Sequence, residues 1–215
     1  MRTFLKFFLV LLFVLGGFAA YSYASGPSAA DFKSLGQRYD VKILRDTWGV
    51  PHIFGKTDAD AAFGLAYAHS EDDLPTILEA LLAARGQIAS VKGKDGAPID
   101  FIVSLLRVWD DIDAKYEKDL APETRAICEA YADGMNYYAA MHPNEVPRRV
   151  RPFTGKDVGA GFVFKGPFFY GLDNAVQKLF GPERKHKVSE KNPALAAAEF
   201  LHDDLELGSN TFAVS

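Results

Sequence analysis

The five histidines and the one cysteine are the residues from which a metal site or a nucleophilic dyad would most readily be built, and their spacing supports neither. His69 is followed by Glu71, Asp72 and Asp73, which are nearly consecutive instead of one helical turn apart. They read as a helix end meeting the N-cap of the next helix. His202 with Asp203, Asp204 and Glu206 reads as a solvated acidic segment, and His52, after Pro51 in a short strand, as a buried, satisfied histidine. Cys128 has no partner within the chain and fits a small buried hydrophobe on a helix. No G-x-S-x-G elbow or persuasive triad is present. Gly208-Ser209-Asn210, near the end of the sequence, is by itself a common loop tripeptide.

The elements around these residues describe a globular protein. The chain has 215 residues, 48% of them hydrophobic, enough for one sizeable core. With 24 basic against 28 acidic residues and a net charge of -4, there is no electrostatic footprint for nucleic acid. Arg2 and Lys6 precede an apolar run over residues 7–20 that closes on Ser22-Tyr23-Ala24. Residues 1–24 therefore read as a secretory signal peptide, with a membrane anchor as the competing reading, and the body is expected to be periplasmic or secreted.

Val41-Lys42-Ile43-Leu44-Arg45 and Val50-Pro51-His52-Ile53-Phe54 flank a Trp48-Gly49 turn as two short strands. Thr57 and Asp60 make a capping-box start, and Ala61, Ala62, Leu65, Ala66 and His69 repeat at helical spacing. A second helix over Leu74, Ile77, Leu78, Leu81 and Leu82 carries Pro75 near its start and Gly86 past its end. Phe101, Leu105, Val108, Trp109 and Ile112 form a third stripe, and Pro122 opens a helix with Ile127, Ala130, Tyr131, Met135 and Tyr138 on its face. Thr154 and Asp157 repeat the capping pattern before an aromatic stretch over residues 162–170, where Gly166-Pro167 predicts a kink. Residues 181–192 read as a polar connection, and an alanine-rich helix follows it. The last residues, from Leu205 to Ser215, alternate like a strand that finds too few partners in this sequence, so the chain is expected to be a piece of a longer product.

Four segments then share one resemblance. Arg45-Asp46-Thr47-Trp48-Gly49-Val50-Pro51-His52-Ile53, Phe63-Gly64-Leu65-Ala66-Tyr67-Ala68, Ala84-Arg85-Gly86 and Ala130-Tyr131-Ala132-Asp133-Gly134-Met135-Asn136 resemble the penicillin acylase family of N-terminal nucleophile hydrolases, in the order of its small-subunit half. In its Ala84-Arg85-Gly86 and Ser209-Asn210 surroundings the chain looks closer to acyl-homoserine lactone and aculeacin A acylases than to penicillin G acylases. The resemblance implies an α+β fold, a four-layer αββα sandwich. This chain would supply the mainly helical small subunit over residues 25–208, with a few short strands, and the start of the large subunit at 209–215.

The resemblance also places a self-processing junction at Gly208-Ser209. A serine hydroxyl needs a base beside it, and an N-terminal serine carries one, because its α-amino group titrates near 8. Before cleavage the same hydroxyl would attack the Gly208 carbonyl, and glycine eases the geometry of that attack. Afterwards Ser209 would attack an N-acyl amide and form an acyl-serine that water releases. Phe168 and Leu172 fall near the family's acyl-chain contacts. The expected partners are a small N-acyl amide and a large subunit from the same precursor, with no nucleic acid and no membrane contact beyond the N-terminal segment. No cofactor is implied: calcium occurs in the family, but Tyr170-Gly171-Leu172-Asp173-Asn174 offers no clear glutamate at the matching place. The residues leave two rival readings, an exported or tethered helical binding domain and an unprocessed, inactive homologue.

Overall fold

The structure, a computed structural model, describes residues 11, 13, 14, 32–172 and 174. The proposed signal segment, the polar connection and the Gly208-Ser209 junction lie outside these residues, apart from positions 11, 13 and 14. Among the described residues no helix is long and apolar enough to cross a membrane.

The two expected strands form an antiparallel hairpin, β1 (Val41–Arg45) and β2 (Pro51–Gly55), with Val41 opposite Gly55 and Arg45 opposite Pro51. Its inward residues rest on Gly64 of the following helix, where a Cβ would lie 2.5 Å from Val41 Cγ2 and 2.8 Å from Ile53 Cγ2. Only glycine lets strand and helix approach that closely.

That helix, α1 (Asp58–Ala84), starts with the expected capping box: Thr57 Oγ1 accepts from the Asp60 amide at 3.2 Å, and Asp60 Oδ2 accepts from the Thr57 amide at 2.9 Å. Asp60 Oδ1 also accepts from the Asp40 amide at 2.8 Å, which ties the hairpin's first strand to the helix start. At Asp73 the backbone leaves the helical region (φ -151°, ψ 57°) and the Thr76 amide points to its carboxylate at 3.4 Å. Two helices thus meet where the acidic run and Pro75 predict. The second ends in a Schellman turn: Gly86 has φ +64°, its amide donates to Ala83 O, and the Gln87 amide donates to Leu82 O at 2.8 Å.

The third apolar stripe departs from expectation. It divides into α2 (Ala97–Leu105) and α3 (Val108–Asp119), with Arg107 between them in the left-handed region at φ +54°. The break rotates the buried face to Ile99, Ile102 and Val103, then Val108, Ile112 and Tyr116, and leaves Phe101 and Leu105 62% and 66% exposed. α4 (Pro122–Met141) begins at its proline and buries Ala130, Met135 and Tyr138 as expected, with Cys128 also buried. α5 (Gly155–Phe169) has the Thr154/Asp157 capping box and runs through Pro167, which stands in its last turn, before Gly171 at φ +83°.

α1 packs most extensively on α4, and α5 packs on α4, α3 and α1. The main core draws on all these helices, from Ile77 and Leu82 through Ile99, Val108 and Met135 to Ala160 and Phe164. A smaller cluster of Leu35, Ala62, Phe63 and Ala130 sits under the hairpin side. The described residues are mainly helical with one hairpin.

Candidate functional site

Ser209 and Gly208, the expected nucleophile and junction, lie outside the described residues. So do His202 and its acidic neighbours. The structure does place the two proposed acyl-chain contacts. Phe168 is half-buried near the end of α5 and packs against the core, edge-to-face on Phe164 at 5.5 Å. Leu172 is half-buried just past the helix end, beyond Gly171. Around them Phe162, Phe169 and Tyr170 are exposed, so this end of α5 presents aromatic surface outward.

The motifs that carried the resemblance turn out to be fasteners. Arg45 Nη1 donates to Gly49 O at 2.7 Å and its Nη2 meets Glu71 Oε2 and Asp72 Oδ1, each at 2.9 Å, so the guanidinium joins the hairpin turn to the end of the first half of α1. Glu71 and Asp72 are thereby used as ion-pair partners. Among the described residues no group of three potential ligand side chains could hold a metal. His69 Nδ1 instead stands 2.9 Å from the Tyr131 hydroxyl.

Asp46 closes the turn from the other side. Its Oδ1 accepts from the amides of Trp48 at 2.8 Å and Val50 at 3.0 Å, and its Oδ2 is 3.3 Å from His52 Nε2. Partial desolvation pushes the Asp46 carboxyl up, but the two amides and His52 outweigh it and hold it below the usual range. His52 is not buried as expected. It stands on the hairpin's outward face with its side chain 54% exposed, because Asp46 satisfies it without help from the core.

A second fastener is largely buried. Arg85 meets Asp157 through two bonds, Nε to Oδ1 at 2.7 Å and Nη2 to Oδ2 at 2.8 Å. It also donates to Val150 O at 2.6 Å and Pro152 O at 2.9 Å. Asp157 is the capping residue of α5 as well, so one carboxylate fixes both the helix start and the end of α1. Asn136 pins a neighbouring segment in the same manner, since its side chain donates to Phe153 O at 2.8 Å and accepts from the Phe153 amide at 2.9 Å. An open cleft of about 430 Å³ borders Arg85, Gln87, Trp109, Arg149, Thr154 and Asp157.

Close backbone contact completes the set. A Cβ on Gly134 would lie 2.4 Å from Phe63 O and 2.8 Å from Ala66 Cβ, so glycine allows α4 to press against α1. Tyr39 stacks on Phe63 at 4.4 Å and donates to Asp133 Oδ2 at 2.8 Å; desolvation first, then Asp133, drives its hydroxyl pKa far up. Sequence reading missed the Tyr39–Asp133 and Arg85–Asp157 pairs, which join residues 94 and 72 positions apart. The second left one trace, since Arg85 and Asp157 each belong to a recognised local motif.

These contacts explain the motifs physically, and comparison with known proteins supplies their origin. The sequence model of the Penicillin amidase family matches residues 40–215. The chain belongs to that family. Among similar proteins, penicillin G acylase of Escherichia coli is 32% identical over 114 residues, which cover 53% of this chain and 13% of that protein. The acyl-homoserine lactone acylase QuiP of Pseudomonas fluorescens is 30% identical over 115 residues, covering 54% and 14%. Penicillin acylase 2 proenzyme of a Pseudomonas species is 29% identical over 121 residues, covering 56% and 16%. The matched stretches thus span a small fraction of those relatives' length. A thermostable penicillin G acylase from Alcaligenes faecalis has a solved chain of which 98% aligns with 82% of this one, at 22% identity and a TM-score of 0.48. The expected α+β class stands, and the described residues are mainly helical with the β1–β2 hairpin.

Proposed function

We propose that the protein is a self-processing amide hydrolase that cleaves linear N-acyl compounds through Ser209 after the chain is cut behind Gly208. The observation that carries this reading is the span of the family match, residues 40–215, which includes Gly208-Ser209-Asn210. Its relatives include proteins named as penicillin acylases and as acyl-homoserine lactone acylases, so the proposed substrate class is an amide with an apolar acyl group.

Each step balances with groups this chain supplies. The freed α-amino group of Ser209, titrating near 8, accepts the hydroxyl proton as Oγ attacks the acyl carbon. The amine leaves with that proton, an ester remains on Ser209, and water releases the carboxylic acid. Phe168 and Leu172 are the proposed acyl-chain contacts, supported by the aromatic surface at their end of α5. The arrangement of the region over residues 25–208 as a small subunit, paired with a large subunit from the same precursor and exported to the periplasm or beyond, belongs to the same proposal.

The test is an acid-quenched reaction of the gene's full translation product with an N-acyl amide such as a phenylacetyl or long-chain acyl amide. Mass analysis should find the acyl mass on a peptide that begins with Ser209, and Ser209→Ala should lose both that adduct and turnover. An acyl adduct on another residue, or turnover that survives Ser209→Ala, would overturn the proposal.

A further inference from the structure

The β1–β2 hairpin is held firmly on one side and left open on the other. Val41, Ile43 and Ile53 close on Gly64 of α1, whereas Lys42, Leu44, His52 and Phe54 point away from it. Leu44 and Phe54 are 45% and 58% exposed there. Among the described residues no third strand pairs with the hairpin. An isolated two-stranded ribbon that exposes Leu44 and Phe54 between Lys42 and His52 is an incomplete sheet.

The open edge can be assigned from the ladder. The Asp46 amide donates to Val50 O and the Lys56 amide to Asp40 O, so the even-numbered residues of β1 bond to β2. The main chain of Val41, Ile43 and Arg45 therefore faces outward along β1. The β2 edge is poorer: Pro51 has no N–H, and Gly55 rests on Ala61 of α1, where a Cβ would meet the amide nitrogen at 2.3 Å.

The sequence offers a segment for that edge. Over residues 205–214, Leu205-Glu206-Leu207 and Thr211-Phe212-Ala213-Val214 each alternate as a strand does, which puts Phe212 and Val214 on one face with Glu206 and leaves Leu205 and Leu207 on the other. It is acidic at its start, with Asp203, Asp204 and Glu206, whereas the hairpin's outward face offers Lys42 and His52. We propose that residues 205–214 add as a third strand along the outer edge of β1, with Phe212 and Val214 continuing the apolar face of Leu44 and Phe54. The hairpin would then be the platform that fixes the main chain on both sides of Gly208-Ser209. Strand addition satisfies the edge's backbone groups and supplies affinity independent of side-chain identity. This inference rests on edge, alternation and charge, and does not require that the chain be cut.

Disulfide trapping in the gene's full translation product tests it, with Cys128→Ala as background. Lys42→Cys or Leu44→Cys is combined with Phe212→Cys or Val214→Cys, because neighbouring strands bring same-face Cβ atoms to about 4.5–5.5 Å. Glu123→Cys, exposed at the start of α4, is the control partner. Peptide mapping after mild oxidation should show at least one hairpin pair closing about tenfold faster than any pair with Glu123→Cys, as the effective concentration of docked partners requires. Equal rates for the control, or no closure from either hairpin position in variants with the parent's circular dichroism, would overturn the proposal. The same pairs in Ser209→Ala should close equally well in the uncut chain. Trapping without any cleavage of the unsubstituted product would thus defeat the proposed function and leave the strand docking intact.

Discussion

Replacing Arg85 with methionine keeps the length of the side chain but removes the charge that Asp157 faces. The Asp157 side chain is only 3% exposed and that of Arg85 15%, so the substitution leaves a buried carboxylate without its ion partner. Breaking a buried pair from one side costs about 3–5 kcal/mol. The loss should fall near 3 kcal/mol, because Asp157 Oδ2 keeps its bonds from the Thr154 amide and hydroxyl at 2.8 and 2.9 Å. With a urea slope of about 2 kcal/mol per M, the unfolding midpoint of this region should drop by about 1.5 M. Trp109 is a local reporter, since its Nε1 donates to Ala84 O at 3.1 Å, and Trp48→Phe leaves it as the sole tryptophan of these 215 residues. Asp157→Asn should cost more, because it weakens the capping box as well, and the double variant should lose less than the sum of the two. A midpoint shift below about 0.3 M for Arg85→Met, with additive singles, would refute the view that this pair holds α1 to α5.

Two glycines should respond with opposite signs. Gly134→Ala forces a Cβ against Phe63 O and should cost about 1–3 kcal/mol, whereas Gly161→Ala, with nothing within 4 Å, should gain about 0.5–1 kcal/mol by stiffening α5. Thermal midpoints of the two variants, read in parallel, decide this. Tyr138 donates to Glu145 at 2.6 Å, and desolvation followed by Glu145 pushes its hydroxyl up to about 12. A raised folded-state value stabilises the fold below the unfolded value near 10, and that contribution is lost as pH climbs from 10 to about 12. The 295 nm titration of Tyr138→Phe should therefore lack absorbance that appears near 12 in the parent, and loss of a transition near 10 would contradict the assignment.

The local grammar of the chain was legible because it depends on near neighbours. Both capping boxes, the Asp73 helix junction, the Gly86 cap and the hairpin all follow from residues a few positions apart. The break at Arg107 was not, since it brings Val108 and Ile112 into the same core as Ile99 and Phe164, residues distant in sequence, and Phe101 carries no sign of facing out. His52 misled for a related reason: a histidine after proline in a strand fits burial, but the turn carboxylate of Asp46 satisfies it at the surface. The family motifs were readable as motifs, yet their roles emerge only in three dimensions, where Arg45, Arg85, Asp133, Gly134 and Asn136 clamp segments far apart in sequence. The proposed nucleophile shows the reverse: Ser209 rests on chemistry and family span, not on contacts among the described residues.

N-terminal sequencing of the polypeptides present in the purified product of the whole gene tests the central claim most directly. A chain whose first residue is Ser209, absent from Ser209→Ala, is the predicted result. An unbroken Gly208–Ser209 bond in a preparation that still hydrolyses N-acyl amides would contradict it.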